Sequence, residues 1–221
     1  MNNPSHILVI FDLDGTITCN DTYVSFLLTF LKNNPYRLFH CWSLPFVFVY
    51  FKLGIRDNTW LKKKFLGAIA GGTTNIKIKV FVKQFIKMIV EQKLRKKALQ
   101  EIESHKALGH LLILATASFD FYVEDIGNQL GFDAIICTHS VWDNNNQLQG
   151  DISGENCYGI SKFHKVIQYC KKNRSIGYTI AYTDHHSDLP LMDWVDEAIA
   201  VNPTKKLREF AKQKGYEIRT W

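Results

Sequence analysis

The sequence has no paired cysteine motif and no secretory leader pattern. Its five cysteines are odd in number, widely spaced and outside any CxxC arrangement, so we expect reduced thiols. Residues Met1 to His6 are polar and lead directly into an apolar run, without a basic region followed by an apolar one. No signal peptide is visible. Both absences predict a cytoplasmic protein.

The sequence also lacks an apolar run long enough to span a bilayer. Its most apolar stretch, Leu38 to Leu53, is interrupted by Pro45 and bounded by Arg37 and Lys52. It is shorter than the ~20 apolar residues that a spanning helix needs. A buried helix and a segment at the membrane interface would leave the same pattern. We expect burial, with peripheral membrane contact as the alternative.

No recognisable nucleic-acid-binding motif is present. The net charge of +6 comes from short scattered clusters such as Lys62-Lys63-Lys64, without interleaved aromatic residues. Such clusters are typical of solvated helix faces, so we expect no nucleic-acid partner. A basic surface still favours anionic substrates or anionic lipid. The composition does not indicate an oligomeric state.

What is present is a strand-length apolar pattern interrupted by a long helical region. The 221 residues, 46% of them hydrophobic, allow one large domain or a core domain with an insert. From Thr16 to about Ser104 the pattern is helical, and from Leu108 strands alternate with helices. This order predicts an α/β fold with an all-helical insertion after the first strand. The predicted strands are Ile7 to Phe11, Leu111 to Ala115, Ala134 to Cys137, Tyr178 to Tyr182 and Ala198 to Val201, with a hairpin at the Asp143 to Asn146 turn.

Two carboxylates, Asp12 and Asp14, follow the first strand. Ligands bind beyond the carboxyl ends of strands in open parallel sheets. Residues two apart in an extended chain lean to the same side, and two close anions repel unless a cation lies between them. Few oxygen ligands with room for water and phosphate suit magnesium. Gly15 allows a sharp turn, and the Thr16 hydroxyl is expected to orient a carboxylate.

Further polar residues follow in an order that resembles a known family. DLDGT is followed by LATAS, by GISK and by TDHHSDLPLM. This order resembles the four motifs of the haloacid dehalogenase superfamily, most closely its phosphoserine phosphatase-like subfamily. The resemblance covers Ile7 to Thr18 and Gly109 to the carboxyl terminus. It implies a Rossmann-like parallel sheet core of residues 1–17 and 105–221, with a helical cap of residues 18–104.

The resemblance implies a Mg²⁺-dependent phosphatase that forms an aspartyl-phosphate. Asp12 would be the nucleophile, and Asp14 would protonate the leaving oxygen and then activate water. Mg²⁺ would be held by Asp12, by the Asp14 carbonyl and by Asp184. Thr116, Ala117 and Lys162 would bind the phosphate, with Lys162 supplying positive charge. Asp188 would be a second acid near the metal or would orient Lys162.

Two details of the pattern depart from the family. His185 stands where relatives usually carry serine, and Thr183 where many carry glycine. The pair His185-His186 suggests a transition metal, but adjacent side chains are expected to diverge. We therefore expect roles beside the site or on the surface for both histidines.

The cap is expected to select the substrate. Asp21 lies where phosphoserine phosphatases carry a glutamate that meets the substrate amine, although it would equally cap a helix. The first candidate substrate is a small phosphorylated metabolite such as phosphoserine. The alternative is a lipid head group, as in a membrane-associated phosphatase of the phosphatidylglycerophosphatase type. A phosphate-binding relative without turnover is disfavoured by the intact Asp12, Asp14, Lys162 and Asp184.

Overall fold

A computed structural model describes residues 6–173 and 176–221 and shows one seven-stranded sheet with helices on both faces. The strands are β1 (His6–Phe11), β2 (Leu111–Phe119), β3 (Ala134–Trp142), β4 (Leu148–Ser153), β5 (Ile176–Thr183), β6 (Glu197–Val201) and β7 (Glu217–Arg219). The helices are α1 (Thr22–Asn33), α2 (Leu44–Lys52), α3 (Asn58–Ala70), α4 (Asn75–Gln92), α5 (Lys96–Ala107), α6 (Asp120–Gln129), α7 (Ile160–Lys172), α8 (Leu189–Met192) and α9 (Lys205–Lys214), with 3₁₀ turns at Pro35–Cys41 and His186–Asp188.

The sheet order is β4-β3-β2-β1-β5-β6-β7, which confirms the predicted α/β class. Every neighbouring pair is parallel except β3 with β4. Strand β1 lies between β2 and β5, so chain segments that follow three adjacent parallel strands meet at one edge. Such an edge is where open α/β sheets bind ligands.

The side chains of β1 point alternately to the two covered faces of the sheet, which explains why the strand is apolar throughout. Leu8 and Ile10 pack on the face covered by α7 and α8, whereas Val9 and Phe11 pack on the opposite face. All four side chains are buried, as expected of a central parallel strand. The stacked rings of Phe11 and Tyr182, 4.5 Å between centroids, join β1 to β5 on the second face.

The apolar core on the second face continues from the sheet into the helical region. Phe26 of α1 contacts Phe85 of α4 and Tyr122 of α6, with ring centroids 5.7 Å apart in both pairs. Helix α3 lies close to β4 through the glycine pair Gly67 and Gly150. The cap helices are therefore packed on the core through a shared hydrophobic interior.

The predicted cap boundary at residues 104/105 falls inside α5. The chain leaves and re-enters the core at two adjacent segments: the Cys19 amide donates to the Lys93 carbonyl at 2.8 Å, and the Arg95 amide donates to the Ile17 carbonyl at 2.9 Å. Beyond this crossing, the buried face of α5 packs on the sheet, where His105 Nε2 lies 2.9 Å from the Tyr182 hydroxyl. We therefore propose residues 18–94 as the cap.

The prediction that Leu38 to Leu53 is buried is wrong. Within this stretch only Leu44 and Val47 are buried, whereas Phe39 is 81% exposed and Trp42 75% exposed. The helical segments are short, and α2 presents one face inward and leaves the other uncovered. No helix among the described residues is long and apolar enough to cross a membrane.

Most predicted strands are longer in the structure than in the sequence pattern. Strand β2 continues to Phe119 and β3 to Trp142, beyond the apolar runs that identified them, and β7 has no counterpart in the predictions. The five cysteines are free in the described structure, as predicted. Residues 1–5, which belong to the predicted core segment and to the stretch judged for a signal peptide, lie outside the described residues.

Candidate active site

Asp12 is the first residue after β1 and remains attached to the sheet. Its amide donates to the Tyr182 carbonyl at 2.9 Å, which places its side chain at the sheet edge. The carboxylate is buried, and its Oδ1 accepts a hydrogen bond from Lys162 Nζ at 2.8 Å. Burial raises the pKa of Asp12, and Asp188, Asp184 and Asp14 raise it further, against the effect of Lys162.

Lys162, in the first turn of α7, is only 3% exposed. Its Nζ donates to Asp12 Oδ1 and to Asp188 Oδ2, the latter at 2.7 Å. Burial opposes the charge on Lys162, but Asp12 and Asp188 raise its pKa above the ordinary value. Asp188 also accepts a hydrogen bond from the Thr183 hydroxyl at 2.8 Å, so its carboxylate holds the lysine in place.

Asp14 is oriented by two donors from other elements. The Thr22 amide at the start of α1 donates to Oδ1 at 2.6 Å, and the Ser118 hydroxyl donates to Oδ2 at 2.7 Å. Burial and nearby Asp21 raise the pKa of Asp14, whereas the hydrogen bonds from Ser118 and Thr22 lower it. A carboxyl group held in this way can exchange a proton at a defined position.

Asp184 follows β5 and lies against the turn that follows Asp14. Gly15 has φ +81°, and a Cβ on it would lie 2.2 Å from Asp184 Oδ2. Only glycine therefore fits between the two carboxylate-bearing segments. Burial, together with Asp188, raises the pKa of Asp184 to about 7.

The charges at this edge are unbalanced. Asp12, Asp14, Asp184 and Asp188 lie around Lys162, and the pKa values of the first three are raised by burial and by their neighbours. Carboxylates in that situation fit a divalent cation with oxygen ligands, which would remove the repulsion. Carboxylate oxygens are ligands of the kind that Mg²⁺ takes.

Not all predicted phosphate-binding and orienting residues face the site. Ala117 lies on the pocket wall, but the Thr116 side chain is buried beneath it, where its hydroxyl accepts the Ser118 amide at 3.1 Å. The structure differs from the prediction for Thr16. Its buried hydroxyl makes no hydrogen bond to the described residues, and Ser118 and Thr22 orient Asp14 instead.

Lys62, expected on a solvated helix face, is only 7% exposed, so that prediction is wrong. Its Nζ donates to the Ala117 carbonyl and, at 3.0 Å, to Asn156 Oδ1. It also lies 4.2 Å from the ring centroid of Phe119. Burial lowers the pKa of Lys62 to about 8. A cap lysine thus reaches into the core beside the site.

These groups line a pocket of about 780 Å³. The predicted residues Asp12, Asp14, Ala117, Lys162, Asp184 and Asp188 all lie on its wall. Asp21 lines it too, and its carboxylate accepts the Val24 amide at 2.8 Å, so it caps α1. Residues that sequence reasoning missed also line it, namely Lys62, Ser118, Asn156 and Tyr158. The cap contributes an apolar wall from α1, α2 and α3 that includes Leu27, Phe48, Phe51, Leu61 and Phe65.

The adjacent histidines do not diverge as expected. The ring centroids of His185 and His186 are 4.2 Å apart, and His185 Nδ1 lies 2.9 Å from the Ser187 hydroxyl. His185 lines the pocket, while His186 is not on its wall. The group of three potential metal ligands found among the described residues contains neither histidine; it consists of Glu124, Cys137 and His139, outside this pocket.

The fold and the site define an α/β enzyme with carboxylates and a buried lysine at the carboxyl edge of a parallel sheet. The family model of haloacid dehalogenase-like hydrolases matches residues 9–193, and the chain belongs to this family. It is therefore a hydrolase by family.

Individual proteins resemble the chain in sequence or in fold. The chain is similar to an inhibition of morphological differentiation protein from Streptomyces azureus, at 25% identity over 94% of this chain and 76% of that protein. A Bordetella pertussis protein of unknown function shares the fold with a TM-score of 0.82, at 22% identity and 97% and 98% coverage. A phospho-aspartyl intermediate analogue of phosphoserine phosphatase has a TM-score of 0.69, at 18% identity and 99% and 94% coverage.

Proposed function

We propose that this protein is a Mg²⁺-dependent phosphomonoester hydrolase that acts through an aspartyl-phosphate on Asp12. The observation that carries the proposal is the buried lysine bridge: Lys162 contacts Asp12 at 2.8 Å and Asp188 at 2.7 Å. This bridge fixes the Asp12 carboxylate and places a cation where phosphate charge would accumulate.

The chain's own residues account for both chemical steps. A carboxylate oxygen of Asp12 attacks phosphorus, the bond from phosphorus to the leaving oxygen breaks, and Asp14 gives its proton to that oxygen. Asp14 then takes a proton from water, whose oxygen attacks phosphorus. The bond between phosphorus and Asp12 breaks, which releases inorganic phosphate and restores the carboxylate. Ala117 and Lys162 would bind the remaining phosphate oxygens.

Asp12, Asp184 and the main-chain carbonyl of Asp14 would hold Mg²⁺. The Asp14 carboxylate accepts hydrogen bonds from Thr22 and Ser118, and the resemblance to the family implies that its main-chain carbonyl is the metal ligand. The ion would supply charge neutralisation between the nucleophile and the phosphate.

The proposed substrate is a small phosphorylated metabolite such as phosphoserine. Asp21 on the pocket wall would offer a carboxylate to an amine. A second candidate is a lipid head group, favoured by the apolar wall of Leu27, Phe51 and Phe65. A screen of phosphomonoesters that includes phosphoserine and phosphatidylglycerophosphate would separate the two.

The test of the reaction is hydrolysis of an aryl phosphate by the purified chain with and without Mg²⁺. We expect Mg²⁺-dependent turnover that falls at least about a thousandfold in Asp12→Asn, because the nucleophile is removed. Asp184→Asn should weaken the response to Mg²⁺. Glu124→Gln, which changes the other group of potential metal ligands, is the matched control and should leave the response to Mg²⁺ unchanged. Turnover without Mg²⁺, or turnover that survives Asp12→Asn, would contradict the proposal.

A further inference from the structure

The outward face of α2 and of the turn before it carries several large, exposed apolar side chains. Trp42, Phe46, Val49 and Leu53 recur at intervals of four, three and four residues, which places them along one helical face. They are 75%, 62%, 53% and 68% exposed. With Leu38 and Phe39 of the 3₁₀ turn they form what we call the aromatic surface.

The opposite face of α2 packs on the protein. Leu44 and Val47 are buried against the protein, and Phe51 of the same helix lines the pocket. The Arg37 guanidinium anchors the preceding turn by donating to the Thr73 hydroxyl at 2.8 Å and to the Gly71 carbonyl. The aromatic surface is therefore held outward by a packed inner face.

The segment that carries the aromatic surface has only basic charges as far as Arg56, and the exposed Asp57 follows it. Residues 32–56 contain Lys32, Arg37, Lys52 and Arg56 and no Asp or Glu. Lys52 lies 5.3 Å from the ring centroid of Phe48, and Arg56 lies 5.7 Å from that of Trp60, and both cations are on the exposed side. Aromatic side chains bordered by cations match the boundary between acyl chains and anionic head groups.

We propose that the aromatic surface docks on an anionic lipid bilayer. Nine helical residues rise only about 14 Å, so α2 would lie in the interface and would not cross it. A second copy of the chain fits less well, because a two-fold contact would bring the cations of both copies together. Phe48 and Phe51 line the pocket that holds Asp12, so the docked face adjoins the pocket.

Vesicle flotation with the full chain tests the proposal without requiring turnover, so its failure is distinguishable from failure of the proposed reaction. The vesicles are phosphatidylcholine alone and phosphatidylcholine with phosphatidylglycerol, each at low and high salt. We expect binding to the anionic vesicles that weakens with salt and is much lower on the neutral vesicles. Negligible binding to anionic vesicles at low salt, or equal binding to both compositions, would overturn it.

Matched variants locate the contact. The triple change Phe39→Ser, Trp42→Ser and Phe46→Ser should lower the bound fraction by about tenfold or more. Ile76→Ser, Val80→Ser and Leu108→Ser remove equally exposed apolar groups elsewhere and should leave it unchanged. An equal loss in both variants would overturn the proposal.

Charge variants and a fluorescence measurement complete the test. Lys52→Glu with Arg56→Glu should weaken binding more than Lys205→Glu with Lys212→Glu, which changes net charge equally on exposed positions of α9. Brominated acyl chains should quench tryptophan fluorescence, and Trp42→Phe should remove most of that quenching. A dimer that dissociates in the triple variant, without vesicle binding, would assign the surface to a second copy and overturn the proposal.

Discussion

At the scale of residues, the orientation of Asp14 depends on hydrogen bonds that tie three elements together. The Ser118 hydroxyl from β2 lies 2.7 Å from Asp14 Oδ2 and 2.9 Å from the Thr22 hydroxyl. The second Asp14 oxygen accepts the Thr22 amide at the start of α1. An acid that must first give and then take a proton benefits from this fixed orientation.

Ser118→Ala should reduce kcat for an aryl phosphate by about tenfold, because Asp14 loses one of its two orienting donors. Thr16→Val is the matched control, because the Thr16 hydroxyl is buried without a partner among the described residues. That change should leave kcat unchanged and raise the free energy of unfolding by up to about 1 kcal/mol. Loss of activity in Thr16→Val, with Ser118→Ala unaffected, would mean that Thr16 orients the acid.

Lys62 predicts a pH dependence of stability. Burial lowers its pKa from 10.5 to about 8, so between these values the unfolded chain binds more protons than the folded one. The contribution of Lys62 to stability is therefore lowest below pH 8 and rises up to pH 10.5, by about 3 kcal/mol at most. Urea unfolding of wild type and Lys62→Met at pH 7.5 and 10 measures this. A difference between the two proteins that stays constant with pH would contradict it.

The sequence predicted that the carboxylates and Lys162 would lie together, because they stand at strand ends and at a helix start in a fixed order, and the structure places them on one pocket wall. It did not predict Lys62, which was read with its neighbours as part of a charged cluster. The available signal was spacing: Lys62 precedes Leu66 and Ile69 by four and seven residues, which is the buried face of α3. The prediction that the Thr16 hydroxyl orients a carboxylate was wrong, because closeness in sequence does not make a side chain point at its neighbour.

At the scale of elements, the close approach of α3 to β4 positions the helix that carries Lys62. A Cβ on Gly150 would lie 2.6 Å from the Gly67 Cα, so Gly150→Ala should lower the free energy of unfolding by about 1–3 kcal/mol. Gly67→Ala should cost less, because its Cβ would lie 3.2 Å from Gly150 and alanine favours the helix by about 1 kcal/mol. Urea unfolding of both variants gives the comparison. Equal effects would contradict the proposed packing.

Strand centres were predictable from apolar runs, but their ends and the edge strands were not. Strand β2 extends to Phe119 through Thr116 and Ser118, polar residues that follow the apolar run, and β7 is only three residues long. In the sequence, α5 reads as one more helix of the cap, and the predicted cap boundary therefore falls inside it. The contacts of α5 with the sheet, such as His105 with Tyr182, support our proposal that it belongs to the core.

At the scale of the whole molecule, we propose that residues at the sheet edge carry out the chemistry and that the cap forms the apolar part of the pocket wall. The two are joined by a continuous apolar core and by adjacent chain crossings at Ile17–Cys19 and Lys93–Arg95. Fold class followed from the order of elements, because a helical region inside a strand-helix alternation permits few architectures. The exposure of Leu38 to Leu53 could not be predicted from the sequence, because an apolar segment has the same composition whether protein or lipid covers it.

The central claim is that phosphate is transferred to Asp12 before water releases it. The most direct measurement is a rapid acid quench of the enzyme during turnover of a ³²P-labelled phosphomonoester, followed by peptide mapping. We predict a hydroxylamine-sensitive phosphate on the peptide that contains Asp12, absent from Asp12→Asn. Label on another residue, or turnover during which no labelled protein forms, would contradict it.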